Sequence, residues 1–285
     1  MPIGYDENKS RDFEKRENVY VRNVVLKEPK WSLDEIVLSN GQKKQIDQAL
    51  SLIRNENLIF EEWGLGRVIQ RGSYSKINLY GPSGTGKTMV GHAIAHELRK
   101  KILQVNYAEI ESKYVGETYK NIISLFDMAK EKDVVILFDE ADALLSKRVS
   151  EMHTSSDVSV NQTKSVLLNT LDSYTGVCIF TTNFICNYDP AFMRRISQHI
   201  YFPLPDLEQR KRLWEYYLVP SLPYNADIQL LAEMYSAISG ADIANSVLSA
   251  AAYCAYHNIP KIEEEHFNVA VEQIIQAKAF DKQNE

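Results

Sequence analysis

The run KINLYGPSGTGKTMVGHAIAHELRKK, residues 76–101, passes from a short apolar segment through a glycine-rich loop into a helical pattern. That order matters more than the loop alone. GPSGTGKT at 81–88 matches the phosphate-loop pattern, and a strand before it and a helix after it are the context that makes the match specific. Gly81, Gly84 and Gly86 let the backbone turn its N–H groups toward phosphate, and the new helix adds the positive end of its dipole. Lys87 is expected to reach the β- and γ-phosphates of a nucleotide, and the Thr88 hydroxyl to bind Mg2+.

On either side of this run, short β-rich segments alternate with helical ones: ILQVN at 102–106, VVILFD at 134–139, VCIFTT at 177–182 and HIYF at 199–202. Continuous apolar strands separated by helices predict a parallel sheet covered on both faces. After PLPDLEQRKRLW the β signal stops, and LLAEMYSAI, GADIANSVLSAAAYCAYH and EEHFNVAVEQIIQAKAF read as helices. The expected fold is therefore α/β, a parallel-sheet phosphate-loop domain followed by a small all-helical domain. The expected boundaries are a charged arm at 1–27, a large domain at 28–205 and a helical lid at 206–285. The strand VVILFD ends in Asp139, followed by Glu140. A buried strand delivers such carboxylates to a metal and to an attacking water, so Asp139 is expected to hold Mg2+ through water and Glu140 to act as general base. The next strand ends near Asn183, which in a parallel sheet would either orient that water or contact the γ-phosphate.

The chain has 285 residues, 45% of them hydrophobic, enough for a sizeable core. A formal charge of −6 and a pI near 5.6 argue against a general nucleic-acid or anionic-membrane binder. Cys178, Cys186 and Cys254 form no CxxC pair, which suggests neither a disulfide framework nor a zinc knuckle. No apolar run reaches the ~20 residues of a membrane span, and the amino terminus lacks the apolar core of a secretion signal, so the cytosol is the expected compartment. His92 and His96 are spaced as zinc ligands could be on a helix, but no glutamate follows His92 as in HExxH; both read as helix-surface residues. Cys178, inside an apolar strand, reads as core.

Taken in order, these motifs resemble the AAA+ ATPases, within them the AAA group of protein-remodelling motors, over residues 31 to about 270. The resemblance makes GPSGTGKT the Walker A loop, with Pro82, Ser83, Gly84, Thr85, Gly86, Lys87, Thr88 and Met89 against ATP. It makes VVILFDEAD the Walker B strand and TTN the first sensor. WSLDEIVLSNGQKKQI resembles the segment whose backbone at Ile36 and Val37 frames the adenine, and ISGADIANSVLSAAAYCA the helix that closes over the nucleotide at Gly240 and Ala241. NYDPAFMRRISQHIYFPLPD resembles the arginine-finger region. Arg194 and Arg195 would then act on the γ-phosphate of a neighbouring subunit, in a homo-oligomer that is most simply a ring of six. Three departures stand out: MRRIS lacks a Pro-Gly insertion, as in the katanin and spastin branch; Ala241 occupies the second-sensor position in place of arginine; and residues 149–163 lack the arginines that couple subunits in many relatives.

ESKYVGETYKN at 111–121 puts an aromatic–hydrophobic–glycine triplet in a polar segment. By the same resemblance it is a pore loop: Tyr114 grips a protein substrate, Val115 adds contact, Gly116 permits the bend, and Lys113 flanks them. The leading expectation is an ATP-driven threading motor, with a HORMA-domain protein of an anti-phage signalling system as a specific substrate and a partner delivering it. The alternatives are an ATP-dependent assembly switch or scaffold, such as an injection-apparatus ATPase, and a nucleic-acid motor, which the acidic composition opposes.

Overall fold

The computed structural model describes residues 26–69, 73–106, 117–147, 155–183 and 188–284. The expected pore-loop residues Lys113, Tyr114, Val115 and Gly116, the arm at 1–25 and Cys186 lie outside them. The chain divides into two compact units. One holds residues 26–33 of the described chain, 45–80 and 88–200; the other holds 34–44, the loop 81–87 and 201–284.

In the first unit, helix α1 (Asn40–Arg54) enters from the second and leads, through irregular turns, to strand β1 (Lys76–Tyr80). Helix α2 (Lys87–Glu97), β2 (Ile102–Asn106), α3 (Glu117–Lys132) and β3 (Val135–Asp139) follow. Next come α4 (Asp142–Leu145), α5 (Ser155–Ser173), β4 (Cys178–Thr182), α6 (Pro190–Met193) and β5 (Gln198–Tyr201). The sheet order is β2-β3-β4-β1-β5, with β1–β4, β2–β3 and β3–β4 parallel. The pairings Asn106↔Asp139 and Tyr80↔Thr182 bring the carboxyl ends of these strands to one edge of the sheet. That edge is where open α/β sheets bind ligands.

Alternation along each strand sorts the two faces. Leu103, Val105, Ile136, Phe138, Cys178 and Phe180 point into a core closed by α3 and α5, where Phe138 stacks on Phe180 at 5.0 Å. The opposite face carries Leu137 and Ile179. Helix α2 lies close against it at Gly91, where a Cβ would sit 2.8 Å from Leu137 Cδ1. Gln104, Asp139 and Thr181 alternate onto this second face, so polar side chains collect beside α2.

The second unit packs α7 (Leu207–Tyr217), α8 (Ile228–Met234), α9 (Gly240–Tyr256) and α10 (Glu264–Asn284) around Trp214, Leu231, Ile243, Phe267 and Val271. It also carries a minimal parallel pair, β6 (Tyr224–Asn225) with β7 (Ile262–Glu263). Its helix starts are locally encoded: Asp206 with Gln209, and Ser239 with Asp242, each form a capping box. Among the described residues no helix is long and apolar enough to cross a membrane.

Candidate nucleotide site

In the loop 81–87, Gly84 and Gly86 have φ of 75° and 90°, backbone that turns N–H groups to one side and that side chains other than glycine's resist. Gly84 is constrained twice. Its carbonyl accepts from Ala241 N–H at 3.1 Å, and a Cβ there would fall 2.5 Å from Ser239 Oγ and 2.8 Å from Ala241 Cβ. Gly240 and Ala241, expected beside the nucleotide, are thus brought onto the phosphate loop by the first turn of α9. Thr85 Oγ1 donates to Pro82 O at 2.9 Å, and buried Lys87 donates to Gly81 O and Pro82 O, each at 2.8 Å. The ammonium is therefore held along the loop that precedes it, where a phosphate group could compete for it. Ile36 is buried in the same unit and Val37 half-buried; Ser39 and Gln42 cap the start of α1 just beyond them.

The strand-end carboxylates sit in the first unit. Asp139 Oδ1 accepts from Thr88 Oγ1 at 2.8 Å and from Thr181 Oγ1 at 2.6 Å, and Oδ2 accepts from Gln104 Nε2 at 3.0 Å. Both oxygens are aimed by neighbours on two strands and α2. Glu140, one residue on, is exposed and has φ of 53°, a left-handed conformation that costs about 1 kcal/mol or more in a non-glycine residue. Its N–H donates to Thr181 Oγ1 at 3.1 Å, so one hydroxyl bridges the two acidic residues. Met89 is half-buried in the first turn of α2. Asn183 lies just past β4, its N–H donating to Asp142 Oδ1 at 3.0 Å. The residue of β4 that reaches Asp139 is Thr181, a contact for which TTN carries no local signal.

The arginine pair divides. Arg195 makes a two-pronged contact with Asp172, Nε to Oδ1 at 2.8 Å and Nη2 to Oδ2 at 2.7 Å, and its Nη1 donates to Ala191 O at 3.0 Å. Arg194, at the end of α6, is exposed, and among the described residues nothing bonds its guanidinium.

One expectation is corrected. His92 is not on the helix surface: it is 1% exposed, with Trp31 edge-on at 5.1 Å and Lys30 N–H donating to its Nδ1 at 3.3 Å. It faces the polar side of the sheet, where only the tertiary structure supplies its partners. His96 is exposed. Cys178 is fully buried, and burial pushes its thiol up to about 12, which leaves it no nucleophilic role.

The donor set can be tested for fit to Mg2+ and a nucleoside triphosphate. Thr88 and Asp139 offer hard oxygen atoms, and among the described residues no group of three His, Cys, Asp or Glu could hold a metal alone. Mg2+ takes one or two carboxylates together with waters and substrate phosphates, so these residues fit. The glycine-turned loop and the start of α2 fit the phosphates.

Comparison with known proteins agrees. Residues 77–204 match the family described as ATPase family associated with various cellular activities (AAA). The chain is similar to the proteasome-activating nucleotidase of Pyrococcus abyssi, 31% identical over 258 residues, which is 88% of this chain and 63% of that protein. Similar levels hold for the 26S proteasome regulatory subunit 8 homolog of Schizosaccharomyces pombe, 32% over 260 residues covering 88% and 63%. Cell division protein C of Sulfolobus acidocaldarius is 33% identical over 246 residues, covering 83% and 63%. The chain thus spans about 63% of the length of these relatives. With strand, phosphate loop, helix and strand-end carboxylates following one another in that segment, residues 77–204 form an AAA ATPase domain, and the chain around it is homologous to these proteins.

Proposed function

We propose that this protein is an Mg2+-dependent ATPase that works as a homo-oligomeric ring, most simply a hexamer, and threads a protein substrate through its centre. The observation that carries the catalytic half is the Asp139 carboxylate at the end of β3, held by the hydroxyl of Thr88, the residue that directly follows the phosphate-loop lysine. Lys87 and the loop N–H groups bind the phosphates, Ile36 and Val37 frame the adenine, and Thr88 and Asp139 hold the ion. When bound, Mg2+ neutralises charge on the phosphate oxygens. Glu140 takes a proton from the attacking water and Asn183 orients that water. Arg194 is the arginine offered to a neighbouring subunit, since Arg195 is committed to Asp172. Support for the remodelling half comes from likeness to proteins called a proteasome-activating nucleotidase and a 26S proteasome regulatory subunit, and from the KYVG sequence at 113–116.

For the substrate, a HORMA-domain protein of an anti-phage signalling system is the specific assignment; its support is the likeness of VNYAEIESKYVGET and TTNFICNYDPAF to that branch. Glu140→Gln should bind ATP, lose hydrolysis by ~10²–10⁴-fold and retain substrate, so what co-purifies identifies it. An empty, monomeric Glu140→Gln protein overturns the motor. In the same assays Tyr114→Ala should keep ATP hydrolysis and lose remodelling; equal loss of both would make Tyr114 a packing residue.

A further inference from the structure

The hydrogen bonds around Asp139 do not stop at the site. Gln104, which donates to Asp139 Oδ2 at 3.0 Å, has its own carbonyl oxygen bonded by Lys27 Nζ at 3.2 Å. His92 Nδ1 accepts from Lys30 N–H at 3.3 Å, which fastens residue 30 to α2 and leaves the proton of the neutral ring on the other nitrogen. Trp31 fixes the ring edge-on. Two bonds therefore tie residues 27–31 inward: Lys27 donates to Gln104, which donates to Asp139, and Lys30 N–H donates to His92. Lys27 is itself fastened to the sheet, since Lys27 and Ile102 exchange backbone hydrogen bonds of 2.9 and 2.8 Å as an antiparallel bridge on edge strand β2.

We propose that His92 and Gln104 are positioning residues, and that the strap at residues 27–31, fastened by His92, sets the metal-holding carboxylate of Asp139 through Gln104. The inference rests on the reading of Asp139 as an Mg2+ holder. Its consequence is regulatory: a partner that peels Lys27 from β2, and with it the strap, removes the far end of the relay and loosens the ion, without touching the phosphate loop. Outer partners of ligating carboxylates commonly change metal affinity by ~10–100-fold. In the relay a carboxylate with two fixed oxygens gives way to one that rotates.

The test is binding of a fluorescent ATP analogue to the full chain, in EDTA and then across a MgCl2 titration, with thermal midpoints alongside. Gln104→Met, His92→Phe and Lys27→Pro should each raise the Mg2+ concentration for half-maximal strengthening of binding by about tenfold, with EDTA affinity within twofold of the parent. His92→Gln, which keeps one acceptor and one donor, should recover most of that loss. Asp139→Asn is the control for the underlying reading and should abolish the Mg2+ effect. If Asp139→Asn behaves so and the three relay variants titrate like the parent, the relay is wrong and the reading of Asp139 stands. If Asp139→Asn itself titrates like the parent, the site reading fails and takes the relay with it. Equal loss of binding in EDTA and Mg2+, with a lowered midpoint, would make these residues structural and also overturn the relay.

Discussion

At the residue scale, two adjacent arginines have been given different work. Arg195 grips Asp172 with two parallel hydrogen bonds, whereas Arg194 extends from the end of α6 with no bonding partner among the described residues. Arg194→Ala should therefore leave the melting midpoint within about 1 °C while ATP hydrolysis falls by ~10³-fold or more. Arg195→Ala should instead lower stability by about 1 kcal/mol, as expected for a partly exposed two-pronged pair, and lower hydrolysis less. Paired melts and phosphate-release assays check this, and equal behaviour of the two variants would remove the distinction. Glu140 is also set apart by its surroundings: its left-handed backbone directly follows the hydrogen-bonded carboxylate of Asp139.

At the scale of elements, the phosphate loop is held from its far side by a helix start. Ser239 caps α9 and lies where any Cβ on Gly84 would go, and Asp242, the other half of the cap, is gripped by Lys278 of α10 at 2.6 Å. Gly84→Ala combines a disfavoured φ with a collision, so it should cost about 1–3 kcal/mol and weaken nucleotide binding at the same time. Differential scanning calorimetry with and without ATP reads both effects. A variant that melts like the parent would show that the loop shifts without resistance.

At the scale of the whole molecule, the assignment of Glu140 and Arg194 to opposite sides of a subunit boundary predicts complementation. Glu140→Gln and Arg194→Ala proteins should each be inactive alone, yet mixing them should recover part of the hydrolysis, because one pairing of subunits restores an intact Glu140 beside an intact Arg194. A mixture as inactive as its components would place both residues on one site. Stability should also fall in acid. Burial holds His92 and His199 below the ordinary imidazole value of 6.5, His92 also by the charge of Lys30. As pH drops through 6.5 the unfolded chain takes up those protons before the folded one, so stability declines from there toward the folded-state pKa values. Each histidine contributes at most about 1.4 kcal/mol per pH unit. Urea midpoints between pH 7.5 and 5.5 check the slope, and His199→Gln should flatten it.

The short pair β6 and β7 was not legible in the sequence, whereas the five strands of the main sheet, the phosphate loop and the two carboxylates after VVILF were. Each of these is a short run whose order along the chain carries its meaning: apolar strand, glycine turn, helix, then acidic strand end. Which partners those residues keep was fixed by folding. Thr181 and Gln104 bond Asp139 across strand neighbours 42 and 35 residues away in sequence, and His92 turned out to be buried because α2 lays that face against the sheet. Arg195 and Arg194 are identical as letters and differ only because Asp172 on α5 lies within reach of one of them. Local pattern reports backbone shape and burial period, which neighbours in sequence set. Hydrogen-bond partners, and with them the stiffness of the Asp139 carboxylate, depend on groups that only folding brings together.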